Sequence, residues 1–464
     1  MNTFHLNLSL MTPGHFRGAW RLPGRDPLAW VDVGRYRELA RIAEGAKIHA
    51  IFLGDSPGLG TAIAEHPESG LEPTILFADV LAGTKHLGAI ATSSSTYNSP
   101  YNLARRYLAL DHVTGGRAAF NIVTTFAPQA AAAFGYGTAP EKADRYRRAD
   151  EFAGVVLSLW DGWDDGAIVG DPASGRFADP ARIGRLEHVG EFFRVSGALS
   201  VPPSPQRRPV LVQAGGSPGG LELAANWADV VFTAGQDLDE AVAFRADTKR
   251  RAAQAGRDPG QILTSLGVIV LVGDSDHDVR RRIDELVDST DVHAAATGVA
   301  IQLGLGTDGL DPDSLITIES LDAAPHPPAS AGFFRSTRAL IAAGPRTVRE
   351  LITRSAGGAG HRLLAGTPEQ IADDLEHWFR AGAADGFTIM PADTAVDFER
   401  FTAQVVPLLQ ERGLFQQDYA GTTLRENLGL APLVPGADRQ RAGNQRAAAH
   451  QRAAAHPTAE EEEG

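Results

Sequence analysis

The chain has 464 residues, of which 43% are hydrophobic and 22% charged, an ordinary composition for a folded protein that can bury a large core. Its net charge of −14 argues against nucleic acid or anionic lipid as the main partner. Its lack of cysteine excludes disulfides, iron–sulfur clusters, thiolate zinc sites and thiol nucleophiles. It has neither a long apolar run nor a basic leader with an apolar core, so we expect no membrane span, no signal peptide and a cytoplasmic location.

The first third of the chain alternates between strand and helix patterns. Short apolar runs predict buried strands, and apolar residues at helical spacing predict the helices between them. The predicted strands cover residues 4–10, 50–55, 88–92 and 118–125, and the predicted helices cover residues 33–46, 72–84 and 99–114.

The alternation continues after a long helix predicted over residues 141–159. Thr367 starts another helix, since its capping hydroxyl is followed by proline in the first turn. Further strands are predicted at residues 209–215, 229–234, 264–273 and 386–390. Eight strands with helices between most of them predict an α/β fold, a (β/α)8 TIM barrel, as a single domain over residues 1–434.

Two segments interrupt this alternation. Residues 160–208 are rich in Gly, Asp and Pro and predict an insertion with a hairpin at residues 188–197. Residues 275–365 hold helices and loops with no clear strand. Because this second insertion precedes the last strand, we expect it to lie over the active face as a lid.

The C-terminal residues 435–464 have a different character. They contain the direct repeat QRAAAHQRAAAH at residues 445–456 and end in EEEEG. Few of these residues are apolar enough to pack, so we predict a disordered tail. The alternative is an interaction motif.

Small polar residues follow two neighbouring predicted strands. Residues 92–96 are TSSST, and Asn121, Thr124 and Thr125 end the next strand. The carboxyl ends of parallel barrel strands form the binding face of such a fold. Hydroxyl and amide groups with few charges suit a neutral, planar heteroaromatic cofactor better than a metal, so an enzyme with such a cofactor is predicted.

The segment PVLVQAGGSPGG, residues 209–220, predicts an anion site. Ser217 is placed to cap a helix that opens with Pro218, and the free N–H groups of that turn favour a phosphate. Gly215 and Gly216 let the phosphate approach the backbone. The alternative is an ordinary capped helix after a tight turn.

Tyr146 is a second candidate for the same phosphate. It lies four residues after Lys142 on the predicted long helix, so the two side chains share a face. A hydroxyl beside a cation can hold a phosphate, and lysine occurs at only four positions in this chain. The alternative for Lys142 is a solvated helix face, which is the preferred interpretation for Arg147 and Arg148.

Two further residues are candidates for the site. Asp55 ends a strand, where it either accepts a hydrogen bond from a ring N–H or caps the following turn. His15 lies in the first loop after a strand, where a substrate would arrive.

Neither a metal nor a nicotinamide site is predicted. The sequence has no HExxH motif, no histidines at i and i+4 and no carboxylate cluster. GLGTDG at residues 304–309 matches the dinucleotide fingerprint, but Asp311 and Pro312 follow it and no strand–helix–strand unit surrounds it.

Several motifs together resemble one enzyme family. They are GAWR (18–21), FLGDS (52–56), the long run from EPTILFADV to AAFNIVTT (72–125), DRYRRADEF (144–152) and QAGGSPGGLELAA (213–225). In this order they resemble the nitrilotriacetate and dibenzothiophene-sulfone monooxygenase group of the bacterial-luciferase-like flavin monooxygenases, over roughly residues 1–430.

The resemblance implies a cofactor and a reaction. The family uses reduced FMN, supplied by a separate NAD(P)H-dependent flavin reductase, and O2 to oxygenate a small organic substrate through a C4a-hydroperoxyflavin. The expected substrate is an organosulfur compound, an aminopolycarboxylate or a similar molecule, and we expect a homo-oligomer, either a dimer or a tetramer.

The resemblance also implies roles for individual residues. The family's flavin contacts fall on Asp55, Thr92, Tyr146 and Ser217, with Asn121 near the ring, and its loop histidine aligns with His15. Lys142 stands where the family often has histidine. Two alternatives stay open: an oxidoreductase of the same superfamily that uses the deazaflavin coenzyme F420, and a flavin-binding barrel without catalytic activity.

Overall fold

Parallel strands form the centre of the computed structural model, which describes residues 3–68, 70–306, 310–328, 331–354 and 361–455. The fifteen strands of this described part are β1 His5–Ser9, β2 Ala50–Leu53, β3 Gly88–Ser94, β4 Ala118–Val123, β5 Ile168–Asp171, β6 Arg176–Ala178, β7 Leu186–Val189, β8 Arg194–Gly197, β9 Val210–Ala214, β10 Val230–Ala234, β11 Leu263–Val272, β12 Leu315–Ile316, β13 Arg346–Thr347, β14 Arg362–Gly366 and β15 Gly386–Pro391.

Eight of these strands close into a barrel. The parallel pairing runs β1, β2, β3, β4, β9, β10, β11 and β15, and β15 pairs back to β1. Each of the eight predicted strands overlaps one of them, so the predicted (β/α)8 barrel is confirmed. β14 is an additional strand: it pairs with β11 at residues 268–272, beyond the point where β10 ends.

α-Helices surround the barrel and form part of its second insertion. In the described residues they are α1 Val33–Gly45, α2 Pro73–Val80, α3 Pro100–Val113, α4 Pro128–Ala133, α5 Lys142–Trp160, α6 Pro218–Trp227, α7 Leu238–Gln254, α8 Asp276–Ser289, α9 Val292–Leu303, α10 Ile318–Asp322, α11 Ala331–Ala342, α12 Val348–Arg354, α13 Pro368–Arg380, α14 Thr394–Arg400, α15 Val406–Glu411, α16 Leu424–Asn427 and α17 Ala437–Ala455.

The helix α3 illustrates how the sequence builds this layer. Leu103, Tyr107 and Leu110 recur at helical spacing, and all three are buried against the barrel. Each such side chain stabilises the fold by about 1.5–3 kcal/mol relative to an exposed one. The helix stops before Gly115 and Gly116, whose φ angles of +68° and +84° favour glycine over other residues.

The predicted insertion at residues 160–208 is present and contains the predicted hairpin. β7 and β8 pair antiparallel in the register His188 to Val195, and β5 and β6 form a second hairpin before them. Trp163, at 9% exposure, donates a hydrogen bond to the Leu199 carbonyl over 2.9 Å, which attaches the start of the insertion to its end.

The second insertion differs from its prediction. The sequence suggested no strand in residues 275–365, and this is wrong: β12 pairs with β13, and β14 begins at Arg362. β12 and β13 have two residues each, and β14 has only three apolar residues between Arg362 and Gly366, so none of them shows an extended apolar pattern. The insertion also has its own core, formed by α9, α10, α11 and α12 around Val299, Leu321 and Leu351.

The prediction of a disordered tail over residues 435–464 is also wrong where the structure describes it. α17 spans Ala437–Ala455 and packs on α5, with Asp438 and Ala442 buried. Asp161 accepts hydrogen bonds from the N–H groups of Gly436, Asp438 and Arg439 over 2.9–3.2 Å. Residues 456–464 lie outside the described part of the chain.

None of the described helices is both long enough and apolar enough to cross a membrane.

Candidate functional site

The carboxyl end of the barrel carries the predicted polar pair. Thr92 and Asn121 are register partners on β3 and β4, and they lie on the same side of the sheet as Ile90 and Ala119 of the barrel interior. Asn121 Nδ2 donates a hydrogen bond to Thr92 Oγ1 over 2.9 Å. Asn121 Oδ1 is buried and has no partner among the described residues. An acceptor in this position is available to an N–H of a bound ligand.

Two histidines lie close together in the same region. His15 is buried, and its Nε2 is 2.8 Å from Ser9 Oγ. Burial lowers the pKa of His15 to about 3, and the nearby His361 acts in the same direction. Burial also lowers the pKa of His361 to about 4, although the Gly267 carbonyl, 3.3 Å from its Nδ1, acts in the opposite direction. Both imidazoles are therefore neutral at pH 7.

Aromatic rings form the inner part of the site. The rings of Phe52 and Phe232 are stacked with their centroids 5.4 Å apart, and the Phe232 centroid lies 5.3 Å from that of His361. Phe52 and Phe232 pack against the barrel-interior cluster that contains Ile90 and Val212. This gives the polar end of the barrel an apolar floor on which a planar ring can rest.

Two of the predicted phosphate residues, Tyr146 and Ser217, come together at the start of α6. Ser217 Oγ donates a hydrogen bond to Tyr146 OH over 2.8 Å and accepts one from the Gly220 N–H over 3.3 Å. In the described chain, the N–H groups of Gly216, Ser217 and Gly219 have no protein acceptor. We call this group the phosphate cradle: Tyr146, Gly216, Ser217 and Gly219.

The structure does not place Lys142 in contact with the phosphate cradle. Lys142 is the first residue of α5 and its side chain is exposed, one turn before Tyr146. Arg147 is also exposed and pairs with Glu191 at 2.8 Å. Arg148 is different from the predicted solvated face, since it donates to the Thr96 carbonyl over 3.1 Å and lies 4.3 Å from the Phe193 ring centroid.

Arg335 is a residue that the sequence did not suggest. It lies on α11 of the second insertion, and its Nη1 donates a hydrogen bond to the Gly216 carbonyl over 3.0 Å. His361, from the end of the same insertion, was missed as well. Neither has a motif around it, because each reaches the site only through the tertiary packing of the insertion.

Asp55 borders a neighbouring cavity of about 440 Å³, together with Glu72, Ser94 and Arg106. Burial and the carboxylate of Glu72 raise the pKa of Asp55 to about 6, and Arg106 opposes this shift. Within the described residues its carboxylate accepts no hydrogen bond, so the alternative of a capped turn is not observed. In the part of the chain that the structure describes, Asp55 is therefore an acceptor without a donor beside the barrel mouth.

Two other kinds of site were tested against the geometry. Among the described residues, no group of three His, Asp or Glu side chains is arranged to hold a metal ion. Of the segment GLGTDG, Gly304 is the C-cap of α9 with φ +74°, and residues 307–309 lie outside the described part. In the dinucleotide fingerprint the glycines lie at the start of a helix, where N–H groups bind the pyrophosphate. Gly304 lies at the end of a helix and does not have this role.

The chain is similar to known proteins over most of its length. The sequence profile of the luciferase-like monooxygenase family matches residues 7–385. Nitrilotriacetate monooxygenase component A from Aminobacter aminovorans is 37% identical, with 92% of this chain and 96% of the relative covered. Dibenzothiophene-sulfone monooxygenase from Rhodococcus erythropolis is 36% identical, with 90% and 94% covered.

A solved structure gives the same result for the fold. The crystal structure of a riboflavin lyase with modified FMN and riboflavin superposes with a TM-score of 0.82 at 28% identity. The superposition covers 95% of this chain and 99% of that one.

Proposed function

This chain belongs to the luciferase-like monooxygenase family of flavin-dependent monooxygenases, and we propose that it is the oxygenase of a two-component system that uses reduced FMN. The observation that carries the proposal is the phosphate cradle beside the polar barrel mouth. It offers one phosphate two hydroxyls and three N–H groups that have no acceptor among the described residues.

The residues present fit FMN as a whole. The phosphate cradle suits the phosphate, the ring pair Phe52 and Phe232 suits the apolar body of the flavin, and Asn121 Oδ1 is a buried acceptor that needs a donor. Asp55 is a second acceptor near the mouth. When bound, reduced flavin supplies the electrons that activate O2 for transfer of one oxygen atom to the substrate.

The two neutral histidines have a role in this scheme. The Ser9 hydroxyl occupies His15 Nε2, so Nδ1 is the ring nitrogen left for a ligand. A neutral imidazole donates or accepts a hydrogen bond without bringing a charge into the site. We assign His15 to orienting the oxygen that is transferred, with burial keeping both His15 and the neighbouring His361 neutral. The second insertion excludes water from the site as a lid.

The electrons come from a second protein in this proposal. In the described part of GLGTDG, Gly304 ends a helix instead of opening one, which gives no support for a nicotinamide pyrophosphate site, so a separate NAD(P)H:flavin reductase supplies reduced FMN. Because such a reductase draws on cytoplasmic nicotinamide, we place the enzyme in the cytoplasm. The relatives' names cover aminopolycarboxylates and sulfones, and we propose a small organic substrate of this kind.

The experiment combines the chain with FMN, NADH, an unrelated flavin reductase and oxygen-18-labelled O2. A panel of aminopolycarboxylates, sulfones, sulfides and alkanes is offered, and products are analysed by mass spectrometry. We expect one labelled oxygen atom in a product, and only when the reductase is present. NADH oxidation coupled to product formation without the reductase would overturn the two-component proposal.

A further inference from the structure

The second insertion reaches the phosphate cradle through one side chain. Arg335 of α11 donates from Nη1 to the Gly216 carbonyl over 3.0 Å, and its guanidinium lies 5.8 Å from the Phe244 ring centroid on α7. A Cβ placed on Gly216 would lie only 2.6 Å from Arg335 Nη2. The guanidinium thus occupies the space that a side chain at residue 216 would need, directly beside Ser217.

The other cations near the cradle lie on α5, and none of them contacts the cradle in the described structure. On α5, Arg145 donates to the Pro140 carbonyl, Arg147 pairs with Glu191 and Arg148 binds the Thr96 carbonyl. Lys142 is exposed at the start of that helix. A dianionic phosphate held by hydroxyl and N–H groups alone would lack a charged partner on the barrel side.

Arg335 forms no ion pair with a carboxylate in the described part of the chain. Burial raises the pKa of Glu240, and Arg335 offsets this only in part. Since Nη1 is fixed by the Gly216 carbonyl, Nη2 of the planar guanidinium is left to contact an anion at Ser217.

We propose that Arg335 binds the phosphate of FMN, so that the second insertion supplies the cation of a site whose other groups come from the barrel. This rests on the proposed function, because it takes the cradle's ligand to be a flavin phosphate. Gly216 belongs to the same arrangement, since a Cβ there would displace the guanidinium from its position beside Ser217.

The test compares two ligands that differ by the phosphate. FMN and riboflavin are titrated anaerobically, in reduced form, into wild-type protein and the Arg335→Gln, Arg335→Lys and Gly216→Ala variants. Arg338→Gln is the matched control, because Arg338 lies on the same helix and pairs with Asp322 at 2.6 Å. Affinities are measured by quenching of protein fluorescence.

We expect Arg335→Gln to weaken FMN binding roughly 10- to 100-fold and to leave riboflavin binding unchanged. Arg335→Lys should keep part of the preference for FMN, Gly216→Ala should lose it, and Arg338→Gln should resemble wild type. If wild type prefers FMN and Arg335→Gln keeps that preference in full, Arg335 does not bind the phosphate. Equal losses for both ligands would also overturn the inference. A wild-type protein that binds no reduced FMN would instead overturn the proposed function itself.

Discussion

At the scale of single residues, the site depends on hydroxyl and amide groups that lack some of their possible hydrogen-bond partners among the described residues. Ser217 Oγ and Tyr146 OH face each other at 2.8 Å, and Asn121 Oδ1 is buried without a donor in the described residues. Leaving a buried polar atom unsatisfied costs about 1–3 kcal/mol. A ligand that supplies the missing partners recovers this cost, which favours binding over an empty site.

Removing the capping hydroxyl tests this directly. Ser217→Ala should weaken the binding of reduced FMN by about 1–3 kcal/mol, because a hydrogen bond to a charged phosphate oxygen is lost. Isothermal titration under anaerobic conditions measures it, and riboflavin is the control ligand whose affinity should not change. FMN affinity equal to that of wild type would remove Ser217 from the phosphate site.

The raised pKa of Asp55 predicts a pH dependence. Only the ionised carboxylate is a strong acceptor for a ring N–H, and with a pKa of about 6 it is mostly protonated at pH 5 and mostly ionised at pH 7. Riboflavin binding should therefore tighten roughly fivefold between these pH values. Riboflavin is used because the phosphate of FMN titrates in the same range.

Asp55→Asn is the matched variant, since its amide has the same shape and no titration. Its riboflavin affinity should be flat from pH 5 to pH 7. The same rise in affinity in both proteins would show that another group is responsible and that Asp55 does not contact the ring.

The sequence predicted the local parts of the site and missed the distant ones. Ser217 was accessible because a strand, two glycines and a capped helix form one continuous pattern. Tyr146 was accessible because it lies on a long predicted helix, four residues after Lys142. Arg335 and His361 carry no such pattern. They lie in a segment without clear periodicity and reach the barrel mouth only when the insertion packs on it.

At the scale of elements, the C-terminal helix shows what composition alone could not predict. An Ala-rich, weakly apolar segment is marginal as an isolated helix. Here Asp161 caps its first turn, and Asp438 forms a buried ion pair with Arg208 at 2.6 Å. Asp161 and Arg208 lie far from α17 in the sequence, so the repeat alone could not predict these contacts.

Deleting residues 436–464 should consequently lower stability. The deletion leaves the buried Arg208 with one carboxylate fewer and exposes the face of α5 that Ala442 covers. We expect the free energy of unfolding to fall by about 3 kcal/mol, which is the lower end of the cost of breaking a buried ion pair. The lower end applies because Asp229 still contacts Arg208.

Urea denaturation followed by circular dichroism measures this, and deletion of residues 456–464 alone is the control. The point variant Asp438→Ala should reproduce most of the loss. Unchanged stability in the long deletion would mean that α17 does not hold these groups together.

At the scale of the whole molecule, the barrel buries neutral histidines at both ends. His5 Nδ1 and His49 Nε2 are 3.4 Å apart near the amino ends of the strands. His15 and His361 lie at the carboxyl ends. Burial lowers the pKa of His5 to about 4 and that of His49 well below 6.5. These four histidines therefore bind protons at a lower pH in the folded chain than in the unfolded chain.

Acid should therefore destabilise the fold through these residues. Between pH 6.5 and about 4, the unfolded histidines take up protons and the folded ones do not, so stability falls as the pH falls. Each histidine contributes roughly 1 kcal/mol per pH unit. A His15→Gln/His361→Gln double variant should lose stability with pH less steeply than wild type, by roughly 2 kcal/mol per unit.

Urea denaturation at pH 6.5, 6.0 and 5.5 gives these slopes, and comparing slopes removes any constant loss caused by the substitutions. The raised pKa of Asp55 acts in the opposite direction in both proteins and cancels from the difference. Equal slopes would mean that His15 and His361 take up protons as readily in the folded protein as in the unfolded chain.

The central claim is that this barrel is built for reduced FMN, and an anaerobic titration tests it most directly. Purified chain is titrated with reduced FMN and, separately, with reduced coenzyme F420. We predict saturable binding of one FMN per chain, weakened by Tyr146→Phe and Ser217→Ala, and no saturable binding of the deazaflavin. Binding of the deazaflavin without binding of reduced FMN would contradict the claim and turn the barrel into a different oxidoreductase.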